Sequence, residues 1–448
     1  TICFVSDRHR LRWDSMKNRT ALWLVSAEGG KAVRITPETG AASPQYSPDG
    51  KHIAYAGLLE ETTAATSKQP NLIITDSKGK AHKALTDRQD MFYMGSQPMM
   101  DTLVWRADSK KLWFTGIYHG GMHLYELGVA RGSVRQLSSG DQSIDGFSIA
   151  DNKVWLSSSW LDRFQEIEIS RLDTWQPKTI TRVNAGLGRA LKFGRSRRFN
   201  YKAKDGLAIE GFLIFPPDFK KGNSRPLIMN VHGGPHGYHP RTFNPLLMQA
   251  KAAAGYVVFL PNPRGSTSYG DDFMQRVVGA WGEEDYNDLM TGVEQLVKQG
   301  IAHPDKLYLE GYSYGGFMSS WIVGRDHRFK AAVIGAPLTD MTSAWSSGDI
   351  NVYLGEQLGS TPHDNPEVFS EKSPLTYVKQ VKTPCLLAHW AGDTRCPVGQ
   401  SEAFYLALKT LKKKTSFVLY PGGSHINRTP SQMQDFAERS LDWFRQYR

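Results

Sequence analysis

The rhythm of apolar and polar positions changes once along this chain, near Gly194. Before that point short apolar runs alternate with turn residues, and a helical period is hardly visible. From Ser43 the chain reads as a strand, a tight turn at Asp49-Gly50 and a second strand through Tyr55, then strands at Asn71–Asp76 and Lys83–Thr86. The order returns at Thr102–Trp105, Lys111–Thr115, Met122–Glu126 and Val134–Leu137. It returns again at Ser143–Ile149, Lys153–Ser157, Gln165–Ser170 and Lys178–Arg182. The turn residues Asp49, Asp108 and Asp151 stand 59 and 43 positions apart. Four strands per repeat of roughly 40–50 residues is the pattern of β-propeller blades. A β-sandwich of similar strand count is the alternative, and the recurrent order favours the propeller. The opening stretch, with Ile2–Ser6, Ala21–Ser26 and Ala32–Thr36, fits the last three strands of a further blade.

Beyond Gly194 the period shifts. Phe199–Ala203 and Ala208–Phe215 read as a hairpin, and from Pro226 strands alternate with helices. The strands are Leu227–Val231, Tyr256–Leu260, Lys306–Leu309, Ala331–Ile334, Cys385–His389 and Phe417–Tyr420. Helical periods run over Asp285–Gln299, Phe317–Val323, Gln400–Leu411 and Gln432–Tyr447. Such βα units predict a mostly parallel sheet with helices on both faces. The chain is therefore expected to divide into an all-β, truncated propeller (1–194, about four blades, the first incomplete) and an α/β-hydrolase domain (195–448). A length of 448 residues agrees with two domains.

Composition changes this picture little. The chain is 40% hydrophobic and 22% charged, and no apolar run approaches the ~20 residues that span a bilayer, so no membrane partner is expected. The net charge of +10 divides evenly: 25 basic against 20 acidic residues in 1–194, and 29 against 24 in 195–448. Interspersed charge without a stripe or patch argues against nucleic-acid binding. Cys3, Cys385 and Cys396 have no metal-ligand spacing. Buried free thiols are expected of them, with a Cys385–Cys396 pair as the alternative. The chain opens at Thr1 inside a strand-like run, so the expectation is a fragment whose N-terminus, with any targeting segment, has been removed. Compartment is left open. So is oligomeric state, with which a homo-oligomer is compatible.

The chemistry is concentrated after residue 225. Gly311-Tyr312-Ser313-Tyr314-Gly315-Gly316 follows a strand and opens a helix, the context of the G-x-S-x-G nucleophile elbow of the α/β-hydrolase fold. Serine needs a base, and the base needs a carboxylate to orient it. The fold places both later, at strand ends, in the order Ser, Asp, His. Asp393 in Trp390-Ala391-Gly392-Asp393 and His425 in Gly423-Ser424-His425 occupy such ends. Asp340, Asp349 and His389 fit less well. The developing oxyanion needs preorganised N–H donors. Those of Tyr314 and of Gly234, in His232-Gly233-Gly234-Pro235, are the candidates. No metal constellation or phosphate-cradling loop stands out, so no cofactor is expected.

These residues resemble the prolyl oligopeptidase family of serine peptidases, specifically its acylaminoacyl-peptidase and dipeptidyl-peptidase branch. The resemblance is carried by His232–Pro235, Pro263-Arg264-Gly265-Ser266-Thr267-Ser268-Tyr269-Gly270 and Trp281-Gly282-Glu283-Glu284-Asp285-Tyr286-Asn287-Asp288-Leu289. Gly311–Gly316, Gly392–Arg395 and Gly423–His425 complete the set, so that it covers 195–448 in order. It implies cleavage of short peptides, with the propeller restricting entry, and a role for Arg395 in holding the substrate's P2 carbonyl. A surface ion pair is the competing role for Arg395. Family propellers carry seven or eight blades, and this chain departs from that. Cys396 stands where Val is common, and its alkylation is expected to impair activity. Glu60-Glu61 is the adjacent acidic pair of the propeller part that could read a substrate amine, or be an exposed loop tip. An esterase using the same residues, or a scaffold with a relic hydrolase domain, are the other readings.

Overall fold

The computed structural model describes residues 1–7, 20–60, 68–86, 92–93 and 103–448, which form two compact units. The first comprises Thr1–Ala190 with the short stretches Pro240–Phe243 and Thr267–Phe273. Among its described residues it holds four antiparallel sheets, each built from strands consecutive or nearly so in sequence. Ile2–Ser6, Ala21–Val25 and Val33–Arg34 form one, and Ala42–Tyr46, His52–Gly57, Asn71–Asp76 and Lys83–Ala84 the next. In the third, Lys111–Tyr118 pairs with both Leu103–Trp105 and Phe92–Tyr93, and Gly121–Gly128 and Ser133–Gln136 follow. Ser143–Ala150, Lys153–Ser159, Glu166–Arg171 and Lys178–Thr179 make the fourth.

Two of the repeated turns share one local cause. Asp49 Oδ1 accepts from Lys51 N at 3.1 Å and Asp108 Oδ1 from Lys110 N at 3.0 Å, so each carboxylate closes the turn that its own backbone begins. Gly50 and Ser109 follow with φ of 68° and 57°. Alternate residues of the strands, such as Leu112 and Phe114, then point into a shared apolar core with Leu72, Leu85, Leu103 and Leu127.

The second unit comprises Leu191–His239, Asn244–Ser266 and Met274–Arg448. Its eight-stranded sheet runs in the order Ser196–Lys202, Ala208–Ile214, Val257–Asn262, Arg225–Val231, Ala302–Tyr312, Phe329–Gly335, Cys385–Trp390, Thr415–Tyr420. The first two pairings are antiparallel and the other five parallel. Every residue of Val257–Asn262 and Cys385–Trp390 is buried, as expected of central strands covered on both faces. Helices Glu284–Lys298, Tyr314–Val323, Gly399–Thr410 and Pro430–Gln446 lie where the helical periods place them. The last starts at a capping box, with Thr429 Oγ1 accepting from Gln432 N and the Gln432 side chain returning to the Thr429 N–H.

Helices Met341–Ser347, Asn351–Leu358 and Pro366–Glu371 carry no periodicity long enough to show in the sequence. Side-chain caps start two of them, Asp340 to Ser343 N at 3.1 Å and Asn365 to Val368 N at 3.4 Å. All three cysteines are free, Cys385 and Cys396 being buried. Among the described residues no helix is long and apolar enough to cross a membrane.

Candidate active site

Strand Ala302–Tyr312 delivers Ser313 to a turn so sharp that its φ is 63° and ψ −122°, and helix Tyr314–Val323 leaves from the next residue. A non-glycine residue in this region is strained and needs its neighbours to hold it there. The flanking glycines make the close approach feasible. A Cβ on Gly311 would lie 2.1 Å from Gly315 O, and one on Gly315 would lie 2.0 Å from Val231 O.

Ser313 Oγ is 2.9 Å from His425 Nε2, and His425 Nδ1 is 2.7 Å from Asp393 Oδ2. The other carboxylate oxygen, Oδ1, accepts from Arg395 N and Cys396 N, both at 2.9 Å. Burial acts to raise the Asp393 pKa. Hydrogen bonds from His389 and His425, the His425 charge and the Cys396 N–H outweigh it, holding the carboxyl well below the usual range. Asp393 is therefore an anion at neutral pH that accepts from Nδ1–H. This leaves the Nε2 lone pair facing Ser313, the tautomer in which imidazole can take a hydroxyl proton.

The structure thus brings together three of the sequence candidates on the ends of three different strands. His389 lies deeper, with Nε2 2.7 Å from Cys396 O and Nδ1 2.7 Å from Ser401 Oγ; Asp340 caps its helix. Asp349 receives Arg395 Nε at 2.6 Å, so Arg395 is ion-paired, with its Nη groups left over. Cys396 Sγ is 4.0 Å from Ser313 Oγ and is 1% exposed; burial, reinforced by the Asp393 charge, pushes its pKa up strongly. In the pair Glu60-Glu61, Glu60 is exposed and Glu61 lies outside the described residues.

The His232–Pro235 loop borders the serine: a Cβ on Gly233 would be 3.3 Å from Ser313 Cβ. Gly234 is exposed, with φ of 129°. His232 contacts Gly233 O through Nδ1 at 2.7 Å and Ser266 Oγ through Nε2 at 2.9 Å. Burial lowers its pKa to about 4, so the ring is neutral.

Several side-chain contacts around this arrangement have no counterpart in the sequence pattern. Arg428 stacks between the rings of Tyr312 (3.8 Å) and Trp390 (4.5 Å) and donates to His425 O, which also receives the Tyr312 hydroxyl at 3.0 Å. Tyr314 is buried, and its phenol donates to Asp285. Asp285 and Asp288 lie in a stretch quoted above only for its resemblance, which was the one signal available.

Residues 241–448 match the sequence model of the prolyl oligopeptidase family. The chain is 32% identical over 350 residues to the uncharacterized peptidase YuxL of Bacillus subtilis, covering 77% of this chain and 53% of that protein. It is 24% identical over 410 residues to dipeptidyl-peptidase 5 of Porphyromonas gingivalis, covering 89% and 58%. The chain spans little more than half the length of these relatives. The structure superposes on Pyrococcus horikoshii acylaminoacyl peptidase with a TM-score of 0.82 at 27% identity, covering 96% of this chain and 67% of that one. The likeness takes in both the antiparallel sheets, as propeller blades, and the α/β-hydrolase sheet.

Proposed function

The chain belongs to the prolyl oligopeptidase family of serine peptidases, and on that premise we propose that it hydrolyses short peptides through an acyl-enzyme on Ser313. The observation that carries the reading is the unbroken hydrogen-bonded line from Ser313 Oγ through His425 to the ionised Asp393. Ser313 Oγ attacks the scissile carbonyl carbon while His425 Nε2 takes its proton. The oxyanion is received by the N–H groups of Tyr314 and Gly234, and His425 then protonates the leaving amine. Water, deprotonated by His425, releases the acyl group from Ser313. Asp393 keeps its charge throughout, holding the ring and stabilising the imidazolium.

Arg395 is assigned to the P2 carbonyl. Its Nε is held by Asp349, which fixes the guanidinium plane and leaves the Nη hydrogens for a substrate oxygen. Residues 1–194 are read as the propeller part that limits which peptides reach the serine, and 195–448 as the peptidase domain. Either a P2 residue with a free amine or an acyl cap can precede P1 in this scheme, giving dipeptidyl or acylaminoacyl release.

The test is turnover of free dipeptidyl, N-acetyl-aminoacyl and internally blocked peptide amides, beside the matching esters. Ser313→Ala should lower turnover by roughly 10⁴–10⁶-fold. Turnover of esters alone would make the protein an esterase. Equal turnover by wild type and Ser313→Ala would remove Ser313 from the mechanism.

A further inference from the structure

Helix Glu284–Lys298 begins with two buried carboxylates three residues apart, Asp285 and Asp288, at 1% and 0% exposure. Buried carboxylates are costly unless donors meet them, and each of these is met by donors from a different segment beside Ser313.

Asp285 Oδ2 accepts from the Tyr314 hydroxyl and from Gly282 N at 3.0 Å. Trp281, just before that glycine, packs edge-on to the Tyr314 ring at 5.0 Å and donates its indole N–H to Gln357 at 3.2 Å. Gly282 cannot be replaced by a larger residue, because a Cβ there would sit 2.4 Å from the Trp321 ring. The side chain of the residue after the nucleophile is thus clamped at its far end.

Asp288 makes a fork with Arg264: Oδ1 to Nη2 and Oδ2 to Nε, both at 2.8 Å, while Oδ2 also accepts Arg264 N at 2.9 Å. Arg264 opens the loop whose Ser266 Oγ is 2.6 Å from Pro263 O and 2.9 Å from His232 Nε2. His232 in turn contacts Gly233 O, one residue before Gly234.

We propose that Asp285 and Asp288 are positioning residues that fix the two oxyanion donors from one helix end. Asp285 acts through the Tyr314 phenol, Asp288 through the Arg264 loop and His232. This rests on Ser313 being the nucleophile and on Tyr314 and Gly234 supplying the N–H groups. A hydrogen-bond donor stabilises the transition state only where it is held before charge develops. The Ser313–Tyr314 peptide is held on its carbonyl side, where Ser313 O accepts from Phe317 N at 2.8 Å, and the anchored Tyr314 side chain holds it from the other. Burial raises the Asp285 pKa to about 6 even though the Tyr314 hydroxyl, Gly282 N and Tyr286 N all donate to it.

The test uses Tyr314→Phe, Asp285→Asn, their double variant and Arg264→Lys. Each is measured for kcat and KM on a peptide amide, and for inhibition by a peptidyl trifluoromethyl ketone and by the matching uncharged ground-state peptide. The ketone adds to Ser313 Oγ and leaves an oxyanion in the hole; the peptide does not. We expect each single variant to lower kcat and weaken the ketone by about 10-fold or more, with KM and the peptide little changed. The double variant should be no worse than its weaker parent, because both single changes break one link. Undiminished kcat in Tyr314→Phe, equal weakening of both inhibitors, or additive losses would overturn the proposal. Tyr314→Phe keeps the ring against Trp281 and decides the matter should Asp285→Asn not fold. Wild type as inert as Ser313→Ala would instead remove the serine-peptidase reading on which the proposal stands.

Discussion

Three residues before Ser313, Glu310 lies in the middle of the sheet at 3% exposure, paired with Lys251 at 1%. Lys251 Nζ is 2.6 Å from Glu310 Oε2, which also accepts from Asn230 Nδ2 at 2.8 Å. Lys251→Met preserves most of the aliphatic stem and removes only the charge. The carboxylate is then left in the sheet interior with a single neutral donor. Breaking one side of a buried pair costs about 3–5 kcal/mol, whereas neutralising both sides costs little, because the desolvation of both ions is relieved together. Lys251→Met with Glu310→Gln should therefore recover most of the loss, its new amide still able to accept from Asn230. For a domain of this size each kcal/mol lowers the melting midpoint by roughly 2–4 °C, so the single variant should melt about 6–20 °C below wild type. Thermal unfolding followed by circular dichroism at neutral pH measures it. A single variant that melts with wild type, or a double variant as unstable as the single, would refute the argument that the pair is held for charge compensation.

Arg428→Met removes a donor from the His425 carbonyl and both ring contacts. The loss of imidazole alignment should lower kcat by roughly 10–100-fold with little change in KM, and Lys should restore part of it. An unchanged kcat would show that Tyr312 alone holds the loop. Cys396 is buried with its thiol protonated, so alkylation of the native protein should be slow, and loss of activity should track its modification by mass. Full activity after stoichiometric modification would separate the thiol from the site. The carboxyl of Asp285 has a folded pKa raised to about 6 by burial, so the folded state holds its proton more tightly than the unfolded chain does. The resulting penalty, roughly 3 kcal/mol, is full at neutral pH and is relieved as pH falls through 6 toward the unfolded value. The stability of wild type relative to Asp285→Asn should accordingly rise between pH 7 and 5, closing the gap between them; wild type falling further behind the variant over that interval contradicts the sign.

What the sequence by itself determined is whatever a few adjacent residues can enforce. Period-2 and period-3.6 runs place most strands and the four long helices to within a few residues, because burial of one face is a local demand. The elbow was legible for the same reason: only glycine fits at 311 and 315, where backbone comes within about 2 Å of an added carbon. The order of Ser313, Asp393 and His425 along the chain, each after the end of a strand, followed from the fold those units imply. The helices between 341 and 371 were not legible, since side-chain caps rather than periodicity start two of them. Nor was the membership of Pro240–Phe243 and Thr267–Phe273 in the first unit. Tertiary structure alone decided that the three strand-end residues meet within 2.9 Å, that Arg395 is held by Asp349, and that Asp285 reaches Tyr314. It also decided that Arg428 lies between two rings beside His425. Each of these joins residues at least 29 positions apart, except for Arg428 with His425. Their energies depend on exclusion of water, which no local stretch of chain can achieve before the sheet and its helices close around it.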